Sequence, residues 1–199
     1  PLLEQLPARA DLLVSERAGW QALAGLWNTP LSSEDPCAEA AGQGLQCFRT
    51  DRMTLHGLRQ LDRPAMLQLR LPDGMASALL VRLDGDSATL QAGEQRWRVA
   101  LPTLQNAWKG QYATLWRTPP GSRGRIASVS SGPAAQWMDE QLLALEASGR
   151  IPSAGTGFAD RVQALQRSQG IEPRGAATPL TFMQVNRLAG VDEPRLSAP

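Results

Sequence analysis

The residue types that most often perform nucleophilic catalysis or bind zinc are scarce in this chain. It contains two cysteines, Cys37 and Cys47, and one histidine, His56. A nucleophilic side chain needs an adjacent base, so a hydrolase of the Cys-His type would have to use His56. Zinc sites take several Cys, His or carboxylate ligands, and the chain offers few of the first two. We therefore predict no metal site and no cofactor.

The spacing of the two cysteines favours a disulfide. Cys37 opens a predicted helix and Cys47 lies in the strand predicted after it, which readily brings two such side chains within disulfide distance. A disulfide would indicate an oxidising compartment such as the periplasm. Two alternatives stay open: inert buried thiols, or a reactive Cys37 whose thiolate is favoured at a helix N-terminus. His56 lies in a short polar helix, as is typical of a solvated surface histidine.

Composition narrows the function classes further. The chain has 199 residues, of which 42% are hydrophobic and 20% charged, which excludes a disordered chain and allows a core. A net charge of +1 gives no general electrostatic support for binding nucleic acid or an anionic membrane. No apolar run approaches the roughly 20 residues of a membrane span. We expect attachment to a membrane only through a segment upstream of Pro1.

The apolar pattern predicts an α+β first domain over residues 1–120. Helices are predicted over 18–27 and from Pro36, with Asp35 as the N-cap, to about residue 44. Alternating apolar and polar residues then predict an antiparallel meander with a helical insertion. Its strands are predicted at 65–71, 78–83, 88–90, 96–99 and 112–116, after a separate short strand at 45–49.

The remaining residues predict a small second domain. Residues 121–133 are rich in Pro, Gly and Ser and are predicted to form a linker. Three helical patterns follow, over 134–148, 158–169 and 179–188. We predict an all-α domain over 134–190 and a tail over 191–199.

The segment 158–188 resembles the three-helix peptidoglycan-binding domain. In that family a helix ends on a valine-x-x-apolar-glutamine phrase, a glycine and an apolar residue follow, and a proline-x-threonine phrase opens the last helix. The matching residues here are Val162, Leu165, Gln166, Gly170, Ile171, Gly175, Pro179 and Thr181. Arg174 and Thr178 depart from it, since the family usually has aspartate and glycine there.

The segment 64–116 resembles the second half of papain-like cysteine peptidases of the bacteriocin-processing type. The matching phrases are Pro64-Ala65-Met66-Leu67, Ala78-Leu79-Leu80-Val81 and Asp84-Gly85-Asp86. The family's catalytic histidine falls on Ala76 or Ser77, its aspartate near Gln91 or Ala92, and its cysteine around Ala18. The resemblance therefore implies a peptidase-like domain without its catalytic residues.

The two domains in this order are similar to the periplasmic region of the general secretion pathway protein A family of type II secretion. The resemblance implies a non-catalytic periplasmic module, part of an inner-membrane-anchored protein, that anchors a complex to peptidoglycan. The implied partners are peptidoglycan, general secretion pathway protein B and the secretin, whose assembly it assists.

Two alternatives remain beside this interpretation: an active papain-like cysteine hydrolase using Cys37 and His56, and a pure interaction scaffold without wall binding. Peptidoglycan offers amide, carboxylate and hydroxyl groups, which Arg and Gln side chains can pair with. The predicted peptidoglycan contacts are Arg161, Gln166, Arg174, Thr181 and Asn186.

Overall fold

The computed structural model describes residues 1–197 and divides the chain into two compact units. Unit 1 comprises residues 1–115 together with the C-terminal segment from residue 194, and unit 2 comprises residues 116–193. The last two residues of the predicted tail, 198 and 199, lie outside the described residues. The predicted domain boundaries and linker stay predictions.

Three of the four α-helices described in unit 1 begin at a short polar side chain that accepts a backbone N–H group, and the fourth begins at Ala100 without a side-chain cap. The four helices are α1 (Glu16–Leu26), α2 (Pro36–Gly42), α3 (Leu55–Leu61) and α4 (Leu101–Ala107). The predicted cap of α2 is confirmed, because Asp35 accepts the N–H of Ala38 at 3.0 Å. Ser15 caps α1 in the same way, by accepting the N–H of Ala18 at 3.3 Å.

The strands form one seven-stranded sheet. They are β1 (Leu2–Leu3), β2 (Leu45–Thr50), β3 (Ala65–Leu71), β4 (Gly74–Leu83), β5 (Ser87–Ala92), β6 (Gln95–Ala100) and β7 (Trp108–Arg117). Their spatial order is β1-β6-β5-β4-β3-β7-β2. The sheet is mostly antiparallel, and the predicted α+β class is confirmed.

The predicted meander is correct for β3 to β6 and wrong for the last strand. β7 does not extend the meander beside β6 but returns to pair with β3, with Met66 opposite Ala113. β2 lies outside β7, and β1 joins β6 in parallel. Period-2 alternation specifies which face of a strand is buried, but it carries no information about the neighbouring strand.

One hydrophobic cluster of unit 1 lies between α1 and the sheet. Trp20, Leu23 and Trp27 follow one another at i, i+3 and i+7, which is the spacing of one helix face, and all three are buried. Leu79 and Leu115 of the sheet belong to the same buried cluster. Helix α2 packs against one side of this cluster, and a disulfide links it to β2.

That disulfide joins Cys37 to Cys47, as predicted from the sequence. Both residues are half-buried and pack against the hydrophobic cluster under α1. Because the bond closes a short loop, chain entropy gives it a stabilising contribution of about 2–3 kcal/mol.

Unit 2 contains three helices around a small core. They are α5 (Pro133–Ala147), α6 (Phe158–Ser168) and α7 (Pro179–Ala189). Leu142, Val162 and Phe182, one from each helix, are fully buried. The indole of Trp137 stacks on the ring of Phe182 with centroids 6.2 Å apart. Apolar residues at helical spacing thus account for the core of this unit.

Within residues 1–197, none of the helices has the length and the apolar character that crossing a lipid bilayer requires.

Candidate functional site

Unit 1 contains a groove between the start of α1 and strand β4. Leu13 and Ser77 form an antiparallel bridge, with N–H to carbonyl distances of 2.9 and 2.7 Å, which brings the residues before α1 against β4. The resulting cavity is about 520 Å³. It is lined by Leu13, Val14, Ser15, Glu16, Arg49, Thr50, Asp51, Met66, Gln68, Met75, Ala76, Ser77, Gln111, Tyr112 and Ala113.

The groove includes one of the three positions at which the peptidase resemblance places catalytic residues. Ala76 and Ser77, at the histidine position, line it directly, and Ala18, at the cysteine position, lies in the first turn of α1. Gln91, near the aspartate position, lies on β5 and accepts a hydrogen bond from Arg96 at 2.8 Å. No cysteine and no histidine is among the described residues that line the groove.

The one histidine of the chain lies elsewhere. His56 is exposed on α3, and its Nε2 is 3.2 Å from the Nε2 of Gln60. This agrees with the solvated surface histidine expected from the sequence.

Cys37 is likewise unable to act as a nucleophile in this structure. Its sulfur is bonded to that of Cys47, and no free cysteine is present among residues 1–197. A disulfide sulfur carries no thiolate, which is the reactive form in cysteine hydrolases. The hydrolase alternative built on Cys37 and His56 would first require reduction of this bond.

A carboxylate steadies the turn that leads into the disulfide-bonded helix. Glu39 accepts the backbone N–H groups of Ser33 at 2.8 Å and Ser32 at 2.9 Å. These bonds favour the ionised carboxylate, so the pKa of Glu39 lies below its ordinary value of 4.5. The lowered pKa of Glu39 therefore adds to the free energy of unfolding at pH values above the ordinary pKa. This contribution is lost as the pH falls through the pKa of the folded state.

One wall of the groove carries a polar cluster that no local sequence pattern predicts. Glu16 and Arg49 form an ion pair, and the guanidinium carbon of Arg49 lies 5.2 Å from the ring centroid of Trp20. Trp20 Nε1 also donates to Glu16 Oε1 at 3.3 Å. Arg49 is remote from the other two in sequence, so no local spacing rule could have joined them. The cluster attaches β2 to the first turns of α1.

In unit 2, the predicted contact residue Gln166 lies at the centre of a buried hydrogen-bond network. Its side chain is fully buried on α6. The carbonyl oxygen Oε1 accepts the backbone N–H groups of Arg174 at 2.9 Å and Gly175 at 3.3 Å. The amide Nε2 donates to the carbonyl of Ala176 at 2.9 Å and to Thr181 Oγ1 at 3.2 Å. One side chain thereby fixes the loop between α6 and α7.

Thr181 belongs to the same network. It is fully buried, and its Oγ1 accepts the backbone N–H of Thr178 at 3.1 Å at the start of α7. Thr181 thus completes a capping box at the N-terminus of α7.

Arg161 and Asn186 are also buried, but they lie outside that network. The guanidinium of Arg161 forms two 2.8 Å bonds with the carboxylate of Asp139 on α5. Asn186 Nδ2 donates to the carbonyl of Arg117 at 2.9 Å and to Glu193 Oε2 at 3.3 Å. Both side chains thus bind groups of unit 2 itself.

Arg174 is the one predicted contact residue with an exposed side chain. It lies in the loop that Gln166 fixes, and its Nη2 is 2.7 Å from Glu172 Oε2. The side chains of Arg174 and Glu172 are 67% and 72% exposed. Their polar atoms are therefore accessible to a ligand, whereas those of the four other residues are directed into the protein.

Neither unit offers a metal site among residues 1–197. No group of three or more His, Cys, Asp or Glu side chains in this range is close enough to hold an ion.

Comparison with known proteins gives consistent matches. A model of the family described as "GspA, peptidase C39-like domain" matches residues 13–118. General secretion pathway protein A of Aeromonas hydrophila is 32% identical over 197 residues, which is 97% of this chain and 36% of that protein. The chain thus spans about a third of the length of this curated relative.

A solved structure shares the fold. It is a periplasmic domain of the EpsAB fusion protein of the Vibrio vulnificus type II secretion system, with a TM-score of 0.59 and 22% identity. The match covers 94% of this chain and 85% of the solved chain.

Proposed function

Because the chain belongs to the family of GspA peptidase C39-like domains, we propose that it is a non-catalytic periplasmic module of a type II secretion assembly protein. In this role it binds peptidoglycan through unit 2 and anchors a complex, attached to the inner membrane by another part of the protein, to the cell wall. Its protein partners are a general secretion pathway protein B and the secretin, whose assembly it assists. The names of the two relatives and the disulfide, which suits an oxidising compartment, support this location.

The non-catalytic part of the proposal rests on the groove of unit 1. The described residues that line it are apolar, polar and charged, and none of them is a cysteine or a histidine. Cysteine peptidases need a thiolate and a base that takes its proton. A groove of this composition can hold a chain without cleaving it.

Titration of the thiols tests this part. We expect no reactive thiol to be detected in the purified, unreduced chain after denaturation, because both cysteines are in the disulfide. Full reduction before the assay is the control and gives a signal from both. A reactive thiol in the native, unreduced chain would contradict the proposal.

The wall-binding part rests on the exposed Arg174–Glu172 pair in a loop that the protein itself holds rigid. Peptidoglycan stem peptides carry carboxylates and amides, and an exposed guanidinium can pair with both. Because Gln166 already fixes the backbone of Arg174 and Gly175, little conformational entropy is lost when a ligand binds there. Arg174 is thus the direct contact, and Gln166 and Thr181 are positioning residues.

Arg161 and Asn186 take part in a different way. Each connects its helix to another segment of unit 2, Arg161 to Asp139 and Asn186 to Arg117 and Glu193. In the proposal they keep the helices in place and do not touch the ligand.

Replacing Arg174 by Ala is expected to weaken binding to purified peptidoglycan about fivefold, which corresponds to about 1 kcal/mol. The measurement is co-sedimentation of the chain with insoluble sacculi over a range of sacculus concentrations. Stability is expected to stay nearly unchanged, because the ion pair that is lost is exposed.

Arg167→Ala is the matched control. Arg167 is an exposed arginine of the neighbouring helix α6, and its Nη2 donates to Gln163 Oε1 at 3.2 Å. Equal loss of binding in both variants would show only a dependence on net charge and would contradict the role of Arg174. No sedimentation of the unmodified chain above a control protein would favour the pure interaction scaffold.

A further inference from the structure

A second cavity in unit 1 lies apart from the groove described above. It has a volume of about 450 Å³, within the range of roughly 300–1,000 Å³ that is usual for ligand pockets. It is lined by Leu26, Pro64, Val81, Arg82, Thr89, Arg96, Pro194, Arg195, Leu196 and Ser197. None of these residues lines the first groove. We call it the arginine pocket.

The charged side chains that line the arginine pocket are all positive. Arg82, Arg96 and Arg195 come from β4, β6 and the C-terminal segment, and no carboxylate is among the described lining residues. Asp84 binds Arg82 Nε at 2.9 Å and offsets one of the three charges. The Nε of Arg96 donates to the uncharged Gln91 at 2.8 Å. The positive charge of Arg96 therefore remains available to an anionic ligand at the cavity.

Apolar side chains also line the pocket. Leu26, Val81 and Leu196 contribute side chains from α1, β4 and the C-terminal segment. Leu26 and Val81 are only half-buried, so apolar surface stays accessible beside the guanidinium groups. This combination suits a ligand that places an apolar side chain next to a carboxylate.

One wall of the pocket is fixed in advance by the chain itself. Ser197 donates through its backbone N–H to Asp62 Oδ1 at 2.9 Å and through its hydroxyl to Asp62 Oδ2 at 2.6 Å. The N–H of Leu196 donates to the Asp62 carbonyl at 3.2 Å. Because this segment is already ordered, little conformational entropy is lost when a ligand binds beside it.

We propose that the arginine pocket is a docking site for an acidic, apolar peptide segment of a partner protein. A carboxylate of the segment pairs with the guanidinium of Arg96. An adjacent apolar side chain contacts Leu26, Val81 and Leu196. This inference rests on the proposed function, because it identifies the residues through which the chain would bind a partner protein. It does not depend on peptidoglycan binding, which is proposed for unit 2.

The probe for this site is a fluorescein-labelled peptide, Gly-Asp-Leu-Glu-Leu-Asp-Gly, followed by fluorescence polarisation with the full chain. Its matched control is the amide analogue, with Asn and Gln in place of Asp and Glu. We expect the acidic peptide to bind about tenfold more tightly than the analogue. Raising the salt from about 0.05 M to about 0.5 M is expected to weaken its binding several-fold.

Arg96→Gln is expected to lower the affinity for the acidic peptide about fivefold. Arg70→Gln removes the same charge from an exposed arginine of β3 that does not line the pocket, and is expected to leave the affinity unchanged. Circular dichroism of both variants verifies that the fold is retained.

The proposal is overturned if the acidic peptide and its amide analogue bind equally, if both arginine variants weaken binding equally, or if no binding occurs at about 1 mM peptide. Arg174→Ala separates this outcome from the wall-binding proposal. We expect it to reduce sedimentation with sacculi and to leave the peptide affinity unchanged, whereas Arg96→Gln does the reverse.

Discussion

Replacing Gln166 by Ala is expected to destabilise unit 2 by about 3 kcal/mol, because the loop between α6 and α7 loses all of its bonds to this side chain. The change leaves the N–H groups of Arg174 and Gly175 and the carbonyl of Ala176 without their partner, and it opens a cavity at a fully buried position. Urea denaturation of the variant and the unmodified chain measures the difference. Co-sedimentation with sacculi is expected to fall as well, since Arg174 is no longer held in place.

Two further variants identify the cause. Gln163→Ala changes the same residue type on the same helix at a half-buried position, and it is expected to alter stability by less than about 0.5 kcal/mol. Gln166→Met keeps most of the volume but cannot accept or donate the loop bonds. If Gln166→Met were as stable as the unmodified chain, packing alone would explain the effect and the proposed loop support would be wrong.

Gly110→Ala is expected to destabilise unit 1 by about 3 kcal/mol. Gly110 has φ of +104°, a conformation that L-residues with a side chain rarely adopt. An added Cβ would lie 2.7 Å from the carbonyl oxygen of Asp51 and 3.0 Å from that of Met53. Both obstacles are backbone atoms, so the segment after β2 would have to move away from β7. The free energy of unfolding in urea measures the loss.

Gly25→Ala is the control for this change. Gly25 lies in α1, has no positive φ, and a Cβ there meets nothing within 4 Å. Alanine is expected to stabilise the helix by about 0.5–1 kcal/mol. A Gly110→Ala variant no less stable than the unmodified chain would show that the approach of residues 51–53 to β7 does not constrain the fold.

Local elements were largely predictable from the sequence because their signals are local. Asp35 followed by Pro36 predicts the start of α2, and the spacing of Trp20, Leu23 and Trp27 predicts the buried face of α1. The disulfide followed from a helix and a strand that are adjacent in sequence. The return of β7 to β3 was not predictable, because pairing between distant strands depends on the whole sheet.

The roles of the predicted wall contacts illustrate the same limit. Gln166 was selected because its amide can pair with a ligand, yet it lies four residues after Val162 and next to Leu165, on the apolar side of α6. That spacing is a signal that the side chain faces the core. The partners that satisfy it, such as the backbone of Arg174 and Gly175, belong to a loop whose path no periodicity predicts.

The most direct test of the central claim is a titration of the ¹⁵N-labelled chain with soluble muropeptides released from peptidoglycan, followed by NMR. Wall binding through unit 2 predicts saturable shifts of the backbone amides in the loop around Arg174 and at the start of α7, and their loss in Gln166→Ala. The absence of shifts at about 1 mM muropeptide, or shifts confined to unit 1, would contradict the account.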